Sequence, residues 1–342
     1  MIEETVSLFK RTYGYQERMM ATGDFFAVGQ DTFHQACAAG ITEACAFLVL
    51  ARGSGGDNIT SSWSSTAIAK RVGVRWSTAK TAIANLNARK LVKIQGTKDR
   101  PVYKLIRKGD DIWLPNSIVD GVSGNPPPVE LIRQSQESLL LRLLVDLYHE
   151  QNLREDDGVS PALVYVNYER ERLGEHSQFV VWGFEAGSTH VYRGPASVPH
   201  YRALSEEDVA EGRTANADDF FSRLRILIRL GFIEIVPMLY ESKTGEPIHA
   251  IYETSSIDLE ARLGVACRLA CERALSASHV EILDKRGWPD VVVCVPAHIE
   301  KVIVRGTYRL TFRPRTSMTG SWWAKLAKEA PRYIADYERI AS

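Results

Sequence analysis

The sequence predicts an α+β fold with more than one domain. Three observations carry that prediction. The chain has 342 residues, more than a single core of ordinary size requires. Apolar residues recur at helical spacing in some windows and alternate or run continuously in others. A turn-forming cluster that ends in Asn125-Pro126-Pro127-Pro128 marks a linker.

Residues 1–31 read as an N-terminal arm, with aromatics at Phe9, Tyr13, Tyr15, Phe25 and Phe26. Thr32 to Ala51 reads as one or two helices with Ala44, Phe47, Leu48 and Leu50 apolar. A glycine-rich loop, Arg52 to Asp57, follows. Ser65 or Thr66 is a candidate cap for the next helix, in which Ile68, Ala69 and Val72 share a face. Gly73 permits a left-handed turn, and Val74 fills the corner. Ser77 or Thr78 is a candidate cap for a further helix whose buried stripe is Ala79, Ala82, Ile83 and Leu86. Val92–Gln95 and Val102–Ile106 then form a hairpin with its tip at Gly96–Pro101. Ile112 to Pro115 reads as a short docked strand.

Charge singles out this stretch. Net charge over the whole chain is zero, with 42 basic and 42 acidic residues. From Ser61 to Lys108, however, Lys70, Arg71, Arg75, Lys80, Arg89, Lys90, Lys93, Lys98, Arg100, Lys104, Arg107 and Lys108 face a single acid, Asp99. A local excess of that kind is what phosphate binding requires. The same charge also suits a solvated basic face on a protein-binding module.

The run Val74-Arg75-Trp76-Ser77-Thr78-Ala79-Lys80-Thr81-Ala82-Ile83-Ala84-Asn85-Leu86, flanked by a helix and a hairpin, resembles the winged helix-turn-helix superfamily. Within it, the run is similar to the recognition helices of GntR-type and MarR-type regulators. Lys90 departs from the pattern, since those families often carry glycine before the strand. The resemblance implies a DNA-binding domain at 32–120. Trp76 to Arg89 is then the recognition helix, which presents its N-terminal half to the major groove. Arg75 and Lys80 become candidates for reading guanine or touching phosphate, and Ser77, Thr78 and Thr81 for holding phosphate. Asn85 is a candidate for adenine. Lys93, Lys98, Arg100 and Lys104 belong to the wing. Trp76 reads as a core anchor.

Residues 129–255 read as a second domain. Leu139, Leu140, Leu143, Leu144, Leu147 and Tyr148 give a broad apolar face, suited to a core or to a dimer seam. The clusters Glu155-Asp156-Asp157, Glu206-Glu207-Asp208 and Asp218-Asp219 read as solvated loops, and Gln178 to Phe184 as a strand. A helix from Phe220 to Leu230, capped by Asp218 or Asp219 and ended by Gly231, leads into a hairpin of Phe232–Leu239 and His249–Glu253. That succession again resembles the latter half of a winged helix, with Arg223, Arg225 and Lys243 as a possible second DNA contact. The C-terminal region, 256–342, reads as α+β: a helix at Ile257–Leu275, a buried strand at Val291–Val295, and a ribbon at Lys301–Arg315. In the ribbon Arg305, Arg309 and Arg313 form a basic face, read either as a further DNA contact or as an ordinary solvent face. A last helix, Ser321 to Ser342, docks on this sheet.

Five cysteines without close metal spacing point to reduced thiols in a cytoplasm. The N-terminus is acidic, unlike a signal peptide, and no apolar run reaches membrane-spanning length. No phosphate-binding glycine loop, dinucleotide fingerprint or nucleophile elbow occurs. The expectation is therefore a non-catalytic, sequence-specific protein for double-stranded DNA, without cofactor or metal, cytoplasmic and nucleoid-associated, and homodimeric. A transcription regulator is the first reading. A replication initiator of a plasmid, phage or integrative element is the second, and a protein-interaction module the third.

Overall fold

The computed structural model describes residues 24–97, 100–122, 125–153, 157–161, 163–191, 217–242, 245, 247–251, 258–299, 301–313 and 316–342. Strand β1 (Phe25–Gly29) precedes helices α1 (Gln30–Ala39) and α2 (Ile41–Arg52). Next come β2 (Thr60–Ser61), α3 (Ser65–Val72), α4 (Trp76–Ala88), β3 (Val92–Gly96), β4 (Pro101–Leu105) and β5 (Asp111–Pro115). A helical turn, α5 (Ser117–Asp120), leads to α6 (Pro128–Gln134) and α7 (Ser138–His149). Then follow β6 (Gln151–Asn152), β7 (Gly158–Val159), β8 (Val164–His176), β9 (Phe179–Val191), α8 (Ala217–Arg229), β10 (Ile233–Tyr240) and β11 (Pro247–Ala250). The chain closes with α9 (Asp258–Ala274), α10 (Ala277–Arg286), β12 (Val291–Pro296), β13 (Ile303–Leu310) and α11 (Ser317–Ala341). The fold mixes helix and strand throughout, as an α+β class requires.

Two layers of structure meet at α7. On one side α1 to α4 and a three-stranded sheet of order β2-β4-β3 enclose a core that includes Phe33, Phe47, Ile68, Ala79, Ile83 and Leu86. The buried stripe of α4 is the one its spacing predicts. Strand β1 pairs antiparallel with β5, and Phe26, Ala27 and Val28 are buried. The end of the stretch read as an arm is thus a core strand. On the other side lies a six-stranded antiparallel sheet of order β11-β10-β13-β8-β9-β12, backed by α9 and α11. Strand β8 and helix α10 lie outside the elements that the spacing signalled.

Helix α7 is buried nearly all round, which decides between core and dimer seam. Leu140, Leu141, Leu143, Leu144, Val145 and Leu147 have essentially no exposure, while Leu139 is turned outward at 38%. Phe220, Leu224 and Leu227 of α8, with Tyr308 and Leu310 of β13, join the same core as the N-terminal helices. The hydroxyl of Tyr148 donates to the Phe312 carbonyl at 2.6 Å, tying α7 to the end of the sheet. The linker at 121–128 therefore separates segments that share one core.

The basic ribbon is a correction. Strand β13 runs inside the sheet, paired with β10 along its whole length and with β8 at Arg305 and Gly306. Arg309 is wholly buried, and its Nη1 and Nη2 donate to the two carboxylate oxygens of Glu260 on α9 at 2.7 and 3.1 Å. Burial alone would lower the guanidinium pKa, but the Glu260 charge more than offsets that and holds it above its ordinary value. Arg313 is buried as well. Its Nε lies 2.8 Å from Asp157 and its Nη2 donates to Glu234 at 3.3 Å. Trp322 of α11 covers both guanidinium groups, with centroid distances of 5.5 and 5.9 Å. Arg309 and Arg313 thus have a structural task and do not reach DNA. Asp157, read as part of a solvated acidic loop, is fully buried beneath them.

Among the described residues two guanidinium groups meet three carboxylates here. Burial pushes the Asp157 carboxyl up to about 6, despite the opposing pull of Arg313 and Arg309, and Glu260 and Glu234 add to the rise.

Two outcomes follow from this cluster. Glu260→Ala removes the bidentate acceptor of the buried Arg309, and equilibrium denaturation should show a loss of about 3–5 kcal/mol. For Asp157 the folded protein binds the proton more tightly than the unfolded chain does. Its contribution to stability should therefore fall as pH rises from about 4 to about 6, by about 3 kcal/mol. Asp157→Asn should flatten that part of a stability–pH profile.

Candidate nucleic-acid interface

Helix α3 ends at Gly73, which adopts φ 65° and ψ 42°, the left-handed region that glycine enters without penalty. Val74 packs partly into the core at the corner. Arg133 of α6 donates from Nε to the Val72 carbonyl at 2.6 Å, meeting a group that the end of α3 leaves without a helical partner. Beside this corner, Arg52 and Arg71 both donate to Asp120, at 2.7 and 3.0 Å, across the face of Trp63. The orientation of α3 and α4 is thus fixed from below and from the side.

Helix α4 starts at Trp76, with Arg75 as its boundary residue. Ser77 and Thr78, read as caps, lie inside the first turn instead. No side chain caps this helix, and its first turn holds no acid. Its first backbone N–H groups and the positive end of its dipole point outward. Arg75, Ser77, Thr78, Lys80 and Thr81 are all exposed. Trp76 is 53% exposed, so it is no core anchor, and the Lys80 ammonium sits over its ring at 5.1 Å. The helical period puts Trp76 at the margin of the buried stripe. As the first residue of α4 it has no preceding turn to cover it. Thr81 donates to the Ser77 carbonyl at 3.1 Å, and Asn85 donates to Glu43 of α2 at 2.8 Å. Asn85 is therefore engaged within the protein.

The hairpin carries exposed basic side chains too. Lys93, Arg100 and Lys104 are exposed, and Ile94 is 45% exposed. Lys93 and Lys104 are direct cross-strand partners, a like-charge pairing that costs stability where nothing else neutralises it. The Ile94 N–H donates to Asn87 at 3.4 Å, tying β3 to α4. Arg107 is taken up by Asp111, and Arg71 by Asp120. Among the described residues Arg75, Lys80, Lys93, Arg100 and Lys104 make no ion pair. Lys98 lies outside the described residues.

The corner between α4 and β3 explains the residue at 90. Lys90 adopts φ 60°. The Leu91 N–H donates to the Leu86 carbonyl and the Lys90 N–H to that of Asn87, both at 2.9 Å. This is the paired 6→1 and 5→2 bonding of a Schellman end, with lysine where glycine is favoured.

The possible second contact fares differently. Arg223 is held by Glu137 at the start of α7. Arg225 is exposed, and Arg305 lies between the rings of Tyr165 and Tyr240, 5.3 Å from each centroid. Lys243 lies outside the described residues. With Arg309 and Arg313 inside the protein, the described side chains of this group form no common basic face.

All five cysteines are buried thiols. Burial pushes the thiols of Cys37, Cys45 and Cys271 well up, and that of Cys294 to about 12. Among the described residues no group of three or more His, Cys, Asp and Glu is arranged to hold a metal ion. No helix among them is long and apolar enough to cross a membrane. Comparison with protein-family models, with curated proteins and with solved structures finds no match to this chain.

The two corners around α4 should respond in opposite directions to substitution. Lys90→Gly removes left-handed strain and should raise stability by about 0.5–1 kcal/mol. Gly73→Ala should lower it by about 1–2 kcal/mol, since the new methyl group also stands 2.4 Å from the Glu130 carboxylate. Urea titrations of both variants beside the parent check this.

Proposed function

We propose that residues 32–120 form a winged helix-turn-helix module that binds double-stranded DNA sequence-specifically and without chemistry, and that the protein is a transcription regulator. Helix α4 is the recognition helix and β3–β4 the wing. The observation that carries this reading is a set of exposed side chains on two adjoining elements: Arg75, Trp76, Ser77, Thr78, Lys80 and Thr81 on α4 or at its start, and Lys93, Arg100 and Lys104 on the hairpin that Asn87 ties to it. A merely solvated surface has no need to set Lys93 opposite Lys104 or to expose a tryptophan. A polyanion with apolar base and sugar edges offers a partner for each of these features.

Roles follow from chemistry. Arg75 and Lys80, at the N-terminal end of α4, are the candidates for base edges, where bidentate contact with guanine is the common specific contact. Ser77, Thr78 and the open N–H groups suit phosphate, whose oxygens accept from hydroxyls and amides. Trp76 offers its ring to sugar or to a thymine methyl. Lys93, Arg100 and Lys104 suit the flanking backbone.

A replication initiator built from two such modules is the second reading. In its favour, α8 enters β10 through the same corner that α4 uses: Phe232 N–H to the Leu227 carbonyl and Gly231 N–H to that of Ile228. Against it, β10 is an interior strand between β11 and β13, and Arg223 is spent on Glu137. Among the described residues no basic face accompanies the second corner.

Selection of bound sites from random DNA, followed by fluorescence anisotropy, tests the proposal. Arg75→Ala with Lys80→Ala should weaken binding to the selected site by about 1–3 kcal/mol for each base no longer read. Lys93→Ala and Lys104→Ala should weaken all sequences alike and each lower the salt dependence by about one counterion. Asn85→Ala, already engaged by Glu43, should change little. Wild-type affinity in the Arg75/Lys80 double variant at moderate salt would remove α4 as the reading helix. Recovery of repeated sites near an origin, in place of the gene's own upstream region, would favour the initiator.

A further inference from the structure

Helix α9 turns its apolar side toward β12 and α11 and leaves a strip in solvent. Arg262, Val265, Leu269 and Glu272 follow one another at spacings of three, four and three, so they line one face. Val265 is 48% exposed and Leu269 52%, although the rest of the helix buries its aliphatic side chains well. Arg262 is exposed and makes no ion pair with a described residue. Glu272 accepts from Arg268 at 3.1 Å through Oε1.

This strip is complementary to itself. Positions 262 and 272, and likewise 265 and 269, are equidistant from 267. In an antiparallel pair with a two-fold axis passing beside residue 267, Val265 meets Leu269 of the second copy. Arg262 then meets Glu272 of the second copy at each end. A parallel pair would set Arg262 against Arg262 and forfeit the match. A two-fold contact requires this kind of patch, in which residue i meets j and j meets i.

We propose that the exposed strip of α9 is a self-association face whose occupant is a second copy of this chain, packed antiparallel. Two aliphatic pairs form the centre of the contact and two Arg262–Glu272 pairs close its ends and fix its direction. The surface is smaller than that of a permanent dimer, so the association is concentration-dependent. It does not rest on the DNA-binding reading, because the strip lies on the opposite module from α4 and would form without DNA.

Sedimentation of the full chain without DNA tests it. The parent should pass from monomer to dimer as concentration rises, and Val265→Glu with Leu269→Glu should remain monomeric. Arg262→Glu or Glu272→Arg alone should raise the dissociation constant about tenfold or more, and the two together should restore it. Circular dichroism should be unchanged throughout, since all four positions are on the surface. A parent that stays monomeric at every concentration overturns the proposal. So does a dimer indifferent to the aliphatic substitutions, or a charge reversal no better than its single halves.

Discussion

Helix α7 is buried on almost every side, and a helix of that kind has to be enclosed. Twelve residues from Ser138 to His149 place six aliphatic side chains out of contact with water. No single layer can cover them. The N-terminal helices with β1 and β5 close one side; α8 and the end of β13 close the other. The single acid on the helix, Asp146, is buried too, and His34 of α1 meets it at 2.6 Å. That contact ties the first helix of the basic module to the helix that anchors the sheet. The platform under α4 therefore depends on α7, although α7 touches none of the residues proposed to meet DNA.

Arginine has two fates in this chain, and the difference lies in what the fold brings near it. Arg309 and Arg313 stand on a strand covered by α9 and α11, so their charges must be matched inside. Glu260, Asp157 and Glu234 do so. Removing one partner from such a cluster costs far more than forming it contributes. Arg75 and Lys80 are exposed, and no described acid is placed to neutralise them. Lys93 and Lys104 go further and oppose each other across the hairpin. Locally unfavourable charge on an otherwise well-packed module is what the proposed DNA-binding role would account for.

Local features were legible in the sequence and distant ones were not. The stripe Ala79, Ala82, Ile83 and Leu86, the turn at Gly73 and the hairpin after Lys90 depend on neighbours within a few residues, and their spacing reveals them. The alternation along 301–313 also assigned residues to two faces. It carried no information about whether the second face meets water or another layer. Glu260 is 49 residues from Arg309 and Asp157 is farther still from Arg313, so no local pattern joins them. The exposure of Trp76 was hidden for a different reason. Periodicity presumes a turn of helix on either side, and the first residue of α4 lacks one. Of the candidate interface, the residue types and their order were readable. The engagement of Asn85 by Glu43 and the clamp of Arg133 on Val72 appeared only when distant elements came together.

The two helix-to-strand corners bring these points to one comparison. After α8 the left-handed position is filled by Gly231, at φ 73°, and the backbone closes without strain. After α4 the same hydrogen bonds close around Lys90. A side chain in this conformation costs about 0.5–1 kcal/mol net relative to glycine, once glycine's greater freedom in the unfolded chain is counted. Nothing in the packing requires it, since Lys90 is exposed. What lysine adds is a positive charge at the C-terminal end of α4, where the helix dipole favours it, and next to the strand that carries Lys93. In the corner within the sheet, where charge has no such use, the strain-free residue stands. Conformation and charge compete at position 90, and charge prevails on the module whose surface is basic.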